Sequence, residues 1–229
     1  VASRAQAGST ALLIGAVLCA LEERLSVLYI SDRLRQEQLR GRLILRHSGV
    51  NGYRFRAGVA TDSDRDKLHA ARAAIAWENF TMMSERVVDL EAVRQICESK
   101  RPALVLADFQ PGRLRDGCRP SYRGLALGLR ELGGIISEQG SALAVRFVLP
   151  RGDCEPDRLE LPGLGSITEL FDGVIFIHRN TGGDGEQRVE SASHAEAQVV
   201  RIQGRDIRCR RVPLLFDQRF GGLSSPTQS

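Results

Sequence analysis

The stretch Ser3-Arg-Ala-Gln-Ala-Gly-Ser-Thr10 stands directly before a long apolar segment. That segment is long enough to predict a buried helix over Ala11–Glu23. Gly8 suits a tight turn, and Ser9 or Thr10 suits the cap of the helix that follows. The stretch therefore predicts a loop that leads from a strand into a helix, which is a common ligand-binding position in α/β proteins.

Buried strands alternate with helical patterns along the rest of the chain. Short apolar runs predict strands at Ser26–Ile30, Phe80–Met83, Ala103–Ala107, Leu143–Leu149 and Val174–Ile177. Helices are predicted at Glu37–His47, from Thr61 to about Trp77, at Leu90–Ser99 and at Tyr122–Glu138. Alternating segments at Ala197–Gln203 and Arg208–Phe216 predict a hairpin. This order predicts a three-layer α/β domain with a mostly parallel sheet that ends in an antiparallel hairpin.

The length of 229 residues suits one large domain or two small ones. We expect this domain to cover residues 1–220, with its first strand truncated at Val1. The small and polar residues 221–229 predict a disordered tail. The segment Gly49–Gly58 is predicted to be a loop because it contains glycines at several positions.

Composition excludes several classes of protein. The hydrophobic content of 42% argues against a mostly disordered chain, and a net charge of +4 is too small to establish a nucleic-acid partner. The 5 cysteines include no Cys-x-x-Cys pair, and the 4 histidines share no metal-ligand spacing. A reducing compartment, the cytoplasm, is therefore expected. The longest apolar run is shorter than the roughly 20 residues that span a bilayer, so no membrane partner is expected.

Five segments in the same order resemble the ATPase domain of DnaB-type replicative helicases. The opening stretch has the length and placement of a Walker A phosphate loop, with Gly8 and Thr10 in place. The other similar segments are Ile30–Leu39, the Walker B strand and beyond at Leu104–Gln110, Gly165–Arg179, and the terminal hairpin of Val199–Asp206 and Val212–Phe220. The resemblance implies a RecA-like P-loop NTPase fold of helicase superfamily 4, with ATP and Mg²⁺ as cofactors.

The resemblance also implies roles for individual residues. Asp108 matches the Walker B acid, Thr10 matches the hydroxyl that supports the metal, and Arg205 matches an arginine finger. The residues placed at the nucleotide are Arg4, Gly8, Ser9, Thr10 and Arg33. The arginines placed near single-stranded DNA are Arg113, Arg115, Arg119, Arg123 and Arg151. A solvated loop and a polar hairpin tip are the alternative interpretations of the arginines after Asp108 and of Arg205.

Departures from the family pattern fall on the catalytic positions. Ser9 stands where the Walker A lysine belongs, and Arg33 stands where the catalytic glutamate belongs. The glutamine that senses the γ-phosphate falls near Val148. We therefore expect an absent or severely weakened ATPase. Arg33 is predicted either to clamp a nucleotide without hydrolysis or to pair with Asp108 in an empty pocket.

Three functions remain open at this point. The first is a catalytically degenerate DnaB-like domain, associated with DNA replication, that acts by binding single-stranded DNA, a homo-oligomeric ring or replication proteins. The second is an active ATP-dependent 5′–3′ replicative DNA helicase domain. The third is a structural interaction module with neither nucleotide nor DNA as a ligand.

Overall fold

A computed structural model describes residues 1–3, 7–85, 88–108, 122–149, 170–179, 193–203, 206–217, 219–220 and 222–224. The strands are β1 (Ala2–Ser3), β2 (Val27–Ser31), β3 (Phe80–Ser84), β4 (Leu104–Asp108), β5 (Ala142–Val145), β6 (Phe147–Val148), β7 (Gly173–Arg179), β8 (Ser193–Gln203), β9 (Asp206–Asp217) and β10 (Gly222–Ser224). The helices are α1 (Ser9–Glu22), α2 (Gln36–Ser48), α3 (Gly52–Arg56), α4 (Asp62–Ala74), α5 (Leu90–Lys100) and α6 (Tyr122–Glu138), with a 3₁₀ turn at Trp77–Asn79.

The strands form two sheets that meet at Arg146. The 4-stranded sheet has the order β3-β2-β4-β5 and is parallel, and the 6-stranded sheet has the order β10-β9-β8-β7-β1-β6. The Arg146 amide donates to the Ala107 carbonyl in β4, and the next amide, of Phe147, donates to the Val1 carbonyl beside β1. The segment β5–β6 therefore lies between β4 and β1, and it changes its neighbour at Arg146.

Helices cover both faces of this arrangement. Val27 and Tyr29 of β2 pack in a cluster with α1 and α2, whereas Leu28 and Ile30 of the same strand pack in a cluster with α5 and α6. Successive side chains of a strand point to opposite faces, so a strand that is apolar throughout must be covered on both sides. The structure thus confirms the predicted three-layer α/β class.

Polar side chains cap the first turns of α4 and α5. The Thr61 hydroxyl accepts from the Asp64 amide at 3.2 Å, and an Asp64 carboxylate oxygen accepts from the Thr61 amide at 3.0 Å, which forms a capping box at the start of α4. The Asp89 carboxylate accepts from the Glu91 amide at 3.0 Å and caps α5. In the part of the chain that the structure describes, no helix is both long and apolar enough to cross a membrane.

The antiparallel hairpin is also confirmed. Strands β8 and β9 pair along their length, from Ser193 opposite Phe216 to Gln203 opposite Asp206. Strand β7 pairs with β8 in antiparallel fashion and with β1 in parallel fashion. The hairpin therefore extends the sheet on the side of β1 that faces away from β4.

Three segments differ from the sequence prediction. The loop predicted at Gly49–Gly58 contains α3, because the Asn51 side chain accepts from the amides of Tyr53 and Arg54 and so caps a short helix. The strand predicted at Leu143–Leu149 is interrupted at Arg146. The helix predicted to reach about Trp77 ends at Ala74.

The prediction of a disordered tail over 221–229 is wrong for Gly222–Ser224, which form β10. This strand pairs with β9 in antiparallel fashion, and Leu223 is buried. The Arg46 guanidinium donates to the Leu223 carbonyl at 2.6 Å, which attaches β10 to α2. A small polar composition did not reveal these long-range contacts.

Candidate functional site

The candidate site lies where the carboxyl ends of β1, β2 and β4 approach the start of α1. Strand β2 ends at Ser31, which lies opposite Asp108 at the end of β4. Strand β1 ends at Ser3, and α1 begins at Ser9. Parallel strands bring the residues at their ends to one edge of the sheet, and this edge is the usual ligand-binding side of α/β folds.

Asp108 is at the centre of a buried polar network. Its side chain is 1% exposed. Oδ2 accepts from the Tyr29 hydroxyl at 2.7 Å and from Thr10 Oγ1 at 3.4 Å. Oδ1 accepts from Arg146 Nε in an ion pair in which both side chains are almost fully buried. Both oxygens of the carboxylate are therefore occupied by donors from this chain.

Tyr29 is held as a hydrogen-bond donor. Burial, followed by the negative charge of Asp108, raises the pKa of the Tyr29 hydroxyl well above its ordinary value. A phenolate beside a buried carboxylate would place two like charges in a medium of low dielectric. The Tyr29 proton therefore stays on the phenol over the whole neutral range and is available to Asp108.

Arg146 supplies the only positive charge that contacts Asp108 among the described residues. Its guanidinium is 3% exposed, and its Nη2 atom is buried with no hydrogen-bond partner in the described part of the chain. Charged groups are rarely buried without a partner, because they lose the hydration that water provides. The ion pair with Asp108 offsets part of that cost and joins β4 to the β5–β6 segment.

Ser9, which the resemblance places where a Walker A lysine would be, has a buried hydroxyl. Ser9 is 5% exposed, and the Ser3 hydroxyl donates to Ser9 Oγ at 2.8 Å. The Ser9 side chain therefore bonds within the loop and carries no charge. This hydrogen bond also joins the end of β1 to the start of α1.

Gly8 fits its position for two reasons. Its φ of +106° lies in the left-handed region, which side chains other than glycine rarely adopt. A Cβ atom at Gly8 would lie 3.3 Å from Phe216 Cδ2 and 3.6 Å from Leu223 Cδ1. The start of α1 is therefore packed closely against β9 and β10.

The hypothesis that Arg33 pairs with Asp108 is wrong, because Arg146 occupies that carboxylate. Arg33 is exposed. Its amide and the amide of Leu34 donate to the Ser31 hydroxyl at 3.2 and 3.1 Å, so the chain turns sharply after β2. The turn leads the backbone away from the network, and the clamp hypothesis for Arg33 stays a prediction.

Several predicted site residues lie outside the described residues. These are Arg4, Arg113, Arg115, Arg119, Arg151 and Arg205. Arg123 belongs to the first turn of α6, and Val148 belongs to β6. The roles that the resemblance implies for these residues remain predictions.

Sequence reasoning missed Arg146, although one signal pointed to it. Arg146 is the only charged residue in the run Leu143–Leu149, which is otherwise apolar. A single charge inside a buried strand requires a partner of opposite charge. That rule predicts an acidic partner for Arg146, but it does not identify Asp108 as the partner.

The residues at this edge do not fit ATP with Mg²⁺. In phosphate-transfer sites Mg²⁺ is bound through one or two carboxylates and the phosphates, whereas both oxygens of Asp108 accept from protein donors. A guanidinium in contact with that carboxylate also repels a second cation. Among the described residues, no group of three or more histidine, cysteine, aspartate or glutamate side chains is placed to hold a metal ion.

Comparison with known proteins identifies the fold. No family model and no curated protein matches the sequence. A DnaB-like replicative helicase, described with its interactions with primase, superposes with a TM-score of 0.75 and 17% identity, over 98% of this chain and 56% of that chain. A second solved structure, described as an ATPase domain, superposes with a TM-score of 0.72 and 17% identity, over 98% of this chain and 82% of that chain. This chain thus spans little more than half of the DnaB-like helicase, and it has the RecA-like fold of a DnaB-type helicase ATPase domain.

Proposed function

We propose that this chain is a DnaB-helicase-like domain associated with DNA replication whose own nucleotide site has lost catalysis. It acts by binding single-stranded DNA or partner proteins, as a subunit of a ring or as a partner of replication proteins. The likeness to a DnaB-like helicase that is described with primase supports this class of partner.

The buried Asp108–Arg146 ion pair is the observation that carries the proposal. Asp108 matches the acid that a helicase uses to hold magnesium, yet here it accepts from Arg146 and Tyr29. Opening the carboxylate to a metal would leave Arg146 buried without its partner. Leaving one member of a buried pair uncompensated costs about 3–5 kcal/mol. Magnesium binding must overcome that cost before it contributes to any reaction.

The substitutions at the phosphate side support the same conclusion. Ser9 brings no charge toward a β- or γ-phosphate, and Arg33 cannot orient an attacking water as a carboxylate does. Loss of one preorganised electrostatic group slows an enzyme by about 10²–10³. The losses need not multiply, since such groups act together. Even one of them is enough to stop a motor.

An active 5′–3′ helicase is the second candidate, and one observation favours it. Thr10 Oγ1 lies 3.4 Å from Asp108 Oδ2, which keeps together the hydroxyl and the carboxylate that P-loop enzymes use around the metal. Arg146 would then have to leave Asp108 when nucleotide binds.

The test is ATP turnover by the intact chain, with and without single-stranded DNA. The proposal expects no turnover above the background of Asp108→Asn, and no gain on addition of DNA. Turnover at about 1 s⁻¹ or faster, a typical enzyme rate, that is lost in Asp108→Asn would overturn the proposal and favour the helicase.

DNA binding is tested separately by titrating a labelled single-stranded oligonucleotide at two salt concentrations. A phosphate-binding protein releases counterions and must weaken as salt rises. Binding that weakens in this way supports the DNA branch of the proposal. No binding at either salt concentration leaves the protein-partner branch.

A further inference from the structure

The segment Tyr53–Val59, which we name the α3 knob, contains most of α3 and lies between α2 and α4 in the chain. Every residue in it is exposed. Its large apolar side chains are Tyr53, Phe55 and Val59, which are 49%, 45% and 59% exposed. In the described part of the chain, the other large apolar side chains with comparable exposure are Leu25 and Leu127, and they lie in other elements.

The α3 knob is held by hydrogen bonds at both ends. Asn51 caps its helix, and the Gly52 amide donates to the Arg219 carbonyl at 2.7 Å. At its other end, Gly58 has a φ of +74°, and the Val59 amide donates to the Arg54 carbonyl at 3.1 Å. This is a closed helix end of the Schellman type, so the knob loses little conformational entropy when it binds.

The residue that precedes the knob, Gly52, packs closely against the segment after β9. A Cβ atom at Gly52 would lie 3.1 Å from the Arg219 carbonyl oxygen, so glycine allows the two segments to approach. The Arg219 guanidinium is held by Asp217, with Nη2 and Oδ2 2.7 Å apart. The knob is therefore mounted on the turn that follows β9.

The knob is also positively charged. Arg54 and Arg56 alternate with the two aromatic residues, and the segment contains no acidic residue. Arg54 lies 3.9 Å from Asp64, a long contact for an ion pair, and remains 52% exposed. The Arg56 guanidinium stacks over the Tyr53 ring, with 5.0 Å between Cζ and the ring centroid. Aromatic and arginine side chains in one exposed segment are the composition of protein-binding hot spots.

We propose that the α3 knob is a docking site for an acidic protein segment that carries apolar side chains. The carboxylates of the partner pair with Arg54 and Arg56, and its apolar side chains cover Phe55 and Val59. This inference builds on the proposed function, because it names the chemistry of a partner for a domain that acts by binding.

A nucleic acid fits the knob less well. Arg56 covers one face of Tyr53, so this face is closed to a stacked base. Val59 is the most exposed of the three apolar residues and has no ring on which a base can stack. An aliphatic surface beside arginine favours a protein partner, whose side chains provide both apolar groups and charge.

The test is selection from a phage-displayed library of random peptides on the intact chain. The enriched peptides are expected to combine Asp or Glu with Leu, Phe or Trp. Their affinities are then measured by fluorescence anisotropy, after thermal melting has shown that each variant keeps the unfolding midpoint of the unmodified chain.

Binding is expected to weaken about thirtyfold or more in Tyr53→Ala/Phe55→Ala, the effect of removing a hot spot. It is expected to weaken about tenfold or more in Arg54→Glu/Arg56→Glu and to fall as salt rises. Leu127→Ala is the matched control, because Leu127 is 56% exposed on α6, and it is expected to leave binding unchanged.

Three results would overturn the inference. They are an enriched set without acidic peptides, equal affinities for the unmodified chain and both double variants, and oligothymidylate binding that is lost in Tyr53→Ala/Phe55→Ala. None of these depends on Asp108. ATP turnover by the chain would therefore refute the proposed function without changing the peptide result.

Discussion

The Asp108 network and the α3 knob both contain arginine beside a polar or aromatic partner, but in opposite environments. Arg146 is 3% exposed and bound to a carboxylate that is 1% exposed. Arg54 and Arg56 are exposed on a segment without acidic residues. In the first region the arginine neutralises a charge inside the protein, whereas in the second it is available to a partner. The two proposals together therefore place binding by this domain at its surface and not at the edge around Asp108.

Arg146→Ala is expected to have the largest effect. It leaves Asp108 buried without a cation, so the free energy of unfolding should fall by about 3–5 kcal/mol. Denaturant titration measures this change. Arg94→Ala is the control, since Arg94 pairs with Glu138 at 3.1 Å at the surface, and it should cost at most about 1 kcal/mol. Equal losses of unfolding free energy in Arg146→Ala and Arg94→Ala would mean that the buried ion pair stabilises the fold no more than a surface pair does.

Tyr29→Phe is expected to cause the next largest loss of unfolding free energy. It removes the hydroxyl that donates to Asp108 Oδ2, and the loss of a hydrogen bond to a charged group costs about 1.5–3 kcal/mol. Denaturant titration of the variant at neutral pH measures the cost. An unchanged free energy of unfolding would mean that the hydroxyl does not support the carboxylate.

The raised pKa of Tyr29 also predicts how the stability of the protein changes at high pH. The pKa of Tyr29 is raised in the folded protein, so above pH 10.0, its ordinary value, the unfolded chain loses the proton first. The contribution of Tyr29 to stability is complete below that pH and is lost as pH rises through the folded pKa. The decrease in the unfolding midpoint above pH 10.0 should therefore be smaller in Tyr29→Phe than in the unmodified chain. An equal decrease of the unfolding midpoint in the two proteins would contradict a raised pKa for Tyr29.

Gly8→Ala is expected to cost about 1–3 kcal/mol. The added Cβ would be strained at a φ of +106° and would press on Phe216. Gly15→Ala in α1 is the matched control, because nothing lies within 4 Å of the Cβ that it adds. It should be neutral or slightly stabilising, as Ala favours helices over Gly. If Gly8→Ala were equally neutral, the start of α1 would not be packed closely against β9 and β10.

Tyr53→Ala/Phe55→Ala should change the free energy of unfolding least, by about 0.5 kcal/mol or less for each residue, because both side chains are exposed. Thermal and denaturant unfolding measure this change. A loss of several kcal/mol would mean that the α3 knob belongs to the structural core and not to the exposed surface.

The sequence predicted the elements that depend on periodicity and local capping. Helix α6 has the predicted bounds, Thr61 and Asp89 cap the predicted helices, and the hairpin is at the predicted position. These features are set by residues that are close in the chain. Strand β10 is set by pairing with β9 and by Arg46, which local composition does not reveal.

The candidate site was predictable only in part. The departures at Ser9 and Arg33 come from the resemblance to the family pattern, and they stay predictions. Pairing with Asp108 was one of the two alternatives for Arg33, and Arg146 holds that place instead. Both arginines lie near the ends of strands that neighbour the strand of Asp108. Which of them contacts Asp108 depends on the turn at Ser31 and on the change of strand partner at Arg146, and neither can be read from the sequence.

Calorimetric titration of the intact chain with Mg²⁺ and a non-hydrolysable ATP analogue tests the central claim most directly. The claim is that Arg146 closes Asp108 to a metal-bound nucleotide. The account predicts no saturable heat for the unmodified chain. Saturable binding to the unmodified chain that disappears in Asp108→Asn would contradict it.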